Sequence, residues 1–214
     1  MYTLFHTNPT RANPYTMYKG REIQSLTAAQ KDSVAEGIAQ LERLVWSPIM
    51  PGSLQGKYDF LDTLNHHRDV ILAVSYADPS QKYGGPYLSY FIGYEIDPDE
   101  GIHDDEIEML EDVTGRDFQD ILDEIPSGKI FYFEDYSRVP TEQARQENRQ
   151  MFMRVLQYLK SEGIGFASDL RESTSYHILN RYHADDVHLF LDEVQRDYYA
   201  QGEHCHSVVG YFKE

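Results

Sequence analysis

Cysteine is nearly absent. Cys205 stands alone in 214 residues, so no disulfide can form within the chain, and a reducing, cytoplasmic setting is expected. Long apolar runs are missing too. No segment reaches the ~20 apolar residues that cross a bilayer. The start, Met1-Tyr2-Thr3-Leu4-Phe5-His6, lacks the basic stretch and apolar run of a secretory signal. No membrane association is expected. The sequence holds no Walker-type phosphate loop, no Gly-x-Ser-x-Gly, no Cys-x-x-Cys and no His-Glu-x-x-His. Those absences argue against nucleotide hydrolysis, serine hydrolysis and a zinc site built on such motifs.

Basic residues are scarcest in one stretch. Between Glu95 and Glu124 fourteen Asp and Glu stand against one base, Arg116, a local charge of −13 within a total of −17. Such a segment repels a phosphate backbone, so direct nucleic-acid binding is not expected. It can steer a cationic substrate or a basic protein partner. A solvated face that aids solubility is the plainer reading of the same charges.

Aromatic residues are plentiful, with 17 Tyr and 10 Phe in a chain that is 41% hydrophobic. That supports a core, and 214 residues suit one domain. Residues 1–24 show weak periodicity, with a short strand expected at 2–5. Thr27 and Gln30 form a capping box. Val34, Ile38, Leu41 and Val45 follow at helical spacing, which predicts a helix over 28–45. A shorter helix is expected at 57–66, with Tyr58, Leu61 and Leu64 on one face. Residues 70–76 and 87–96 read as an antiparallel hairpin. In the acidic stretch, Ile107, Leu110 and Val113 predict one short helix, and Phe118, Ile121, Leu122 and Ile125 a second. The stretch is therefore expected to be an ordered insertion over about 97–126.

A strand at 129–136, a helix at 141–162 and a strand at 164–170 follow. Such a unit needs a crossover, so its two strands should be parallel neighbours. A helix at 173–182 and strands at 187–194 and 204–212 complete the reading. The fold class expected is α/β of the mixed kind: a mostly antiparallel sheet with helices on both faces, in a single domain spanning 1–214.

His204 and His206 flank Cys205, and alternate residues of a strand share a face. Two ligands fall short of the three or four that zinc takes, so no metal is expected and a solvent-facing pair is.

The order of elements resembles the Gcn5-related N-acetyltransferase superfamily, and over 130–182 so do the residues. Phe133-Glu134-Asp135-Tyr136-Ser137-Arg138-Val139-Pro140 is similar to that family's strand ending in an acidic pair and a Val-x-Pro step, with Arg138 at the Val position. Met151 to Gly163 is similar to its long helix, and Asp169 to Tyr176 to the next strand and helix start. The resemblance implies binding of acetyl-CoA at a helix N-terminus. Its loop motif, Gln/Arg-x-x-Gly-x-Gly/Ala, falls on Gln143-Ala144-Arg145-Gln146-Glu147-Asn148, where Gln143 matches and Gln146 and Asn148 replace the glycines. Cofactor contacts are thereby expected from Tyr136, Arg138, Gln143, Arg145, Gln146 and Asn148. Glu134 is the implied base for an amine, and Tyr176 or Tyr182 the implied acid for the leaving thiolate. The resemblance implies acyl transfer to an amine-bearing or basic substrate or protein. The replaced glycines leave open an alternative, a non-catalytic binding or inhibitor protein on the same fold that mimics nucleic acid with its acidic insertion.

Overall fold

The computed structural model describes residues 15–47, 56–67, 69–77, 85–171, 187–194 and 205–212; for 170–171, 187–194 and 205–206 it describes the backbone alone. The chain divides into two compact units. The first comprises Met1–Tyr94 and Asp135–Arg154, the second Glu95–Glu134 and Val155–Glu214.

The first unit begins with a strand and helix that periodicity did not reveal. β1 (Tyr15–Lys19) and α1 (Gly20–Gln24) lie inside the stretch read as irregular. The reason is burial: Tyr15, Thr16, Met17 and Tyr18 are all buried, and a strand covered on both faces shows no polar alternation. The strand expected at 2–5 lies outside the described residues. α2 (Ala28–Trp46) starts as its sequence dictates. The Thr27 hydroxyl accepts from the Gln30 N–H at 3.3 Å, and the Gln30 side chain accepts from the Thr27 N–H at 2.8 Å. α3 (Lys57–His66) turns inward a different face from the one its spacing predicts. Tyr58 is 82% exposed, whereas Phe60, Thr63 and Leu64 are buried.

β2 (Ile71–Tyr76) and β3 (Tyr87–Ile96) form the expected antiparallel pair, with Ile71 opposite Gly93, and β1 adds antiparallel to β2. Ser75 stands opposite Ser89, and their buried hydroxyls bond at 2.8 Å. Two further elements contribute to both units: β4 (Ile130–Arg138) and α6 (Glu142–Glu162). Neighbouring residues of a strand point to opposite faces. Tyr90 meets Phe60 of α3 edge-on at 6.0 Å, and Phe91 meets Phe152 of α6 at 6.4 Å. So α3 and α6 cover opposite faces of β3.

The second unit contains the acidic stretch. It is ordered, as its apolar spacing predicts, in α4 (Asp104–Thr114) and α5 (Phe118–Asp123). Leu110, Phe118, Ile121 and Ile125 are buried in one cluster with Ile96, Ile130, Ala167, Val209 and Tyr211, and Ile107, Val113 and Leu122 pack against it. A polar clip reinforces that packing. The Tyr211 hydroxyl donates to Glu124, which also pairs with Arg116 at 2.8 Å. β5 (Gly165–Arg171) runs parallel to β4, with Ile130 opposite Gly165. β7 (Cys205–Phe212) lies antiparallel to β5, and β6 (Val187–Val194) antiparallel to β7. The expected helix at 173–182 lies outside the described residues.

The hydrogen-bonded strand order is β1-β2-β3-β4-β5-β7-β6. The fold is mixed α/β, mostly antiparallel, with one parallel pair among the registers described. No described helix is long and apolar enough to cross a membrane.

Candidate active site at the end of the fourth strand

β4 changes character along its length. Ile130, Phe131 and Phe133 are buried, and Phe133 meets Phe166 of β5 at 6.2 Å. From Glu134 to Tyr136 the strand is half-buried, and Ser137 is buried again. This is where a row of apolar anchors gives way to groups that carry protons.

Asp135 is one of them, and its titration is shifted. The residue as a whole is half-buried, and its carboxyl is enclosed by protein. Burial pushes that carboxyl up from an ordinary 3.8 to about 6; the Tyr90 hydroxyl and the Tyr136 N–H favour the anion and oppose the rise. The Tyr90 hydroxyl donates to Asp135 Oδ2. Tyr90 is itself fully buried and packed on Phe60. Its carbonyl accepts from Asn148 Nδ2 of α6 at 3.5 Å. Carboxyls raised in this way occur at reactive sites and in buried structural networks alike.

The turn after β4 is short, because α6 already begins at Glu142. Val139 donates its N–H to the Leu88 carbonyl, and Thr141 donates to the Val139 carbonyl. Thr141 then caps the helix: its hydroxyl accepts from the Ala144 N–H at 3.2 Å, and its carbonyl from the Arg145 N–H at 3.0 Å. Among the described residues, the N–H groups of Glu142 and Gln143 are what the first turn leaves for an outside acceptor.

The cofactor-contact residues predicted from sequence take several positions. Gln146 and Asn148 lie inside α6, not in a loop. Gln146 is exposed and donates to Glu142 at 3.2 Å, while Asn148 is tied to Tyr90. Gln143 is exposed and donates to Glu147 Oε1 at 2.9 Å. Arg145 is exposed and pairs with Glu142 at 3.6 Å. Tyr136 and Arg138 are half-buried on β4, as is the implied base Glu134. Tyr176, Tyr182 and His204 lie outside the described residues, and of Cys205 and His206 only the backbone is described.

Sequence reading did not select Asp135, Tyr90 or Ser137. The acidic pair Glu134-Asp135 lies near the end of β4. The partner on β3 stands 45 residues away in the chain, and only the paired strands bring it close.

A coenzyme A thioester would need anion donors and polar contacts along this turn. The residues present fit that need in altered form. Ser137 Oγ is buried and has no hydrogen-bond partner among the described residues. A helix N-terminus with unbonded N–H groups is a place where an anion can bind, and Arg138 lies four residues before α6 begins.

The structure resembles solved N-acetyltransferases. Arabidopsis thaliana NAA60 in complex with acetyl-CoA aligns with a TM-score of 0.53 and 12% identity, over 92% of this chain and 98% of that one. The same plant protein in complex with a bisubstrate analogue gives 0.51 and 11%, over 92% and 97%. The NatC complex bound to Gag peptide and CoA gives 0.51 and 10%, over 91% and 96%. No family model and no curated protein matches the sequence. The chain thus has the Gcn5-related N-acetyltransferase fold, with a sequence far from these relatives.

Proposed function

We propose that this chain is an acyl-CoA N-acyltransferase whose acceptor is an amine on a cationic small molecule or protein. The observation that carries this reading is the half-buried, proton-bearing end of β4 leading within three residues into the capped N-terminus of α6, on a fold shared with N-acetyltransferases. When bound, acyl-CoA supplies an acyl group activated as a thioester. The N–H groups of Glu142 and Gln143 and the side chain of Arg138 would hold its phosphates, and the Ser137 hydroxyl would donate to a carbonyl of its chain. The Arg145–Glu142 pair offsets the charge that Glu142 brings to the first turn. A carboxyl on β4 takes the proton that an ammonium must lose before it can attack.

Neighbours crystallised with a peptide and with acyl-CoA support a peptide or protein amine as acceptor. Isothermal titration with acetyl-CoA and CoA, followed by acetylation of a panel of peptide and polyamine amines, tests the reading. Micromolar binding and transfer are expected. Failure to bind either ligand at high micromolar concentration refutes it.

One observation favours a second reading, a non-catalytic binding protein. The apolar faces of α4 and α5 are buried, while Asp104, Asp105, Glu108, Asp112, Asp117, Asp120 and Asp123 are exposed. The acidic stretch is thus a fixed charged surface, suited to a basic partner. In that case acetyl-CoA would not bind, and a polycationic protein would.

A further inference from the structure

We propose that Glu147 of α6 sets the selectivity of the donor site: its buried carboxylate opposes phosphate at the first turn of the helix and so holds down the affinity for acyl-CoA relative to a thioester without phosphate. The inference rests on the acyltransferase reading and adds a specificity-determining residue to it.

Glu147 is an exception on its face of α6. The helix's other buried residues run from Ala144 through Met151 and Phe152 to Leu159, and all are apolar. Glu147 is only 5% exposed. Its Oε1 accepts from Gln143 Nε2 at 2.9 Å, while its Oε2 is enclosed and has no hydrogen-bond partner among the described residues. No cation among those residues pairs with it. Packing alone would favour an apolar side chain here, since burying an unpaired carboxylate is costly.

The bond to Gln143 fixes where that charge lies. Residues four apart share a face of a helix, and side chains lean toward its N-terminus. Four residues rise about 6 Å, and the bond to Gln143 shows that the two side chains bridge that rise. The carboxylate therefore reaches back over the first turn, whose Glu142 and Gln143 N–H groups would meet a donor phosphate. An anion there is drawn by the helix end and repelled by Glu147. Glu142, the other acid of this turn, is exposed and paired with Arg145 at 3.6 Å. Glu147 has no such partner, and burial removes the water that would screen it. A unit charge ~7 Å away changes an equilibrium constant by about 10-fold or more at the effective dielectric of a protein. The pyrophosphate of acyl-CoA meets this repulsion. A pantetheine thioester, which ends in a hydroxyl, does not.

The test uses the full chain and two acetyl donors, acetyl-CoA and S-acetylpantetheine, with one peptide amine as acceptor. kcat/KM for each donor is measured in wild type, Glu147→Gln, Glu147→Ala and Glu162→Gln. Glutamine keeps an acceptor for Gln143 and removes the charge. Glu162 is exposed at the far end of α6, so its variant reports net charge alone. Glu147→Gln is expected to raise the ratio of kcat/KM for acetyl-CoA to that for S-acetylpantetheine about 10-fold, through a lower KM for acetyl-CoA at unchanged kcat. Isothermal titration should show acetyl-CoA bound more tightly by the same factor. Glu147→Ala should move the ratio the same way, which keeps the test open where the glutamine variant folds poorly. The ratio in Glu162→Gln should stay within about twofold of wild type. A ratio that neither Glu147 variant moves overturns the proposal and leaves the acyltransferase reading intact, as does an equal rise in Glu162→Gln. Acetyl-CoA that binds neither wild type nor Glu147→Gln overturns that reading as well.

Discussion

Asp135 makes a prediction that concerns stability alone. Its folded titration lies near 6, above the ordinary 3.8. The folded state therefore binds this proton more tightly than the unfolded state does. The stability it contributes is fully present below about pH 4 and is lost as pH climbs through about 6. The shift corresponds to about 3 kcal/mol. Asp135→Asn keeps an acceptor for the Tyr90 hydroxyl and for the Tyr136 N–H without a charge to bury. It is expected to match wild type near pH 4 and to exceed it by up to ~3 kcal/mol at pH 8, a rise of roughly 5–10 °C in melting temperature. Urea unfolding at the two pH values measures this. An equal difference at both would show that the carboxyl is not buried in solution. Stability gained together with activity lost would mark a site that keeps its acid at a cost.

At the level of elements, two contacts carry predictions. A Cβ at Gly210 of β7 would lie 2.4 Å from the Phe166 ring of β5, and Phe166 is fully buried. The ring has nowhere to retreat, so Gly210→Ala is expected to cost roughly 1–3 kcal/mol, read as a lower urea midpoint with unchanged slope. Thr141→Ala removes the cap on α6 and should cost about 1 kcal/mol, with Thr141→Ser recovering most of it; no loss in the alanine variant would mean that another group caps the helix. The same elements show what a single sequence can reveal. Thr27 with Gln30, the apolar stripe of α2, the hairpin of β2 and β3, the parallel β4–β5 pair and both acidic helices followed from local pattern. Such features are written within a few residues of one another. β1 escaped because burial on both sides erases alternation, and α3 was turned because Phe60 alone outweighs Tyr58 and Leu61. The helix predicted over 141–162, Gln146 and Asn148 included, is α6 (Glu142–Glu162); only the likeness to a glycine loop set those two residues outside a helix. Asp135 and Tyr90 were out of reach for the opposite reason, since a contact 45 residues apart exists only once strands pair.

Over the whole molecule the charge is −17, and −13 of it lies between Glu95 and Glu124. The surrounding chain is close to balanced, so the field has a defined origin. Charges outside a Debye length of about 8 Å are screened at physiological salt, which makes steering by this surface a low-salt effect. For an enzyme acting on a cationic acceptor, kcat/KM for a peptide with several lysines should fall roughly 10-fold between 20 and 200 mM salt. A neutral peptide of the same length should change by no more than about twofold. The side chains responsible can be chosen from the structure. Glu111 accepts from the Phe118 N–H, Glu124 holds Arg116 and Tyr211, and Glu106 stands by buried His103. Those three support the fold and are poor targets. Asp104, Asp105, Glu108 and Asp112 are exposed on α4. Neutralising these four as D104N, D105N, E108Q and D112N should leave the melting temperature within a few degrees of wild type, while flattening the salt dependence toward that of the neutral peptide. Salt dependence that survives the change would place the steering charge elsewhere. A variant that instead loses capture of a basic protein, in a chain that never binds acetyl-CoA, would give the acidic surface to the binding function.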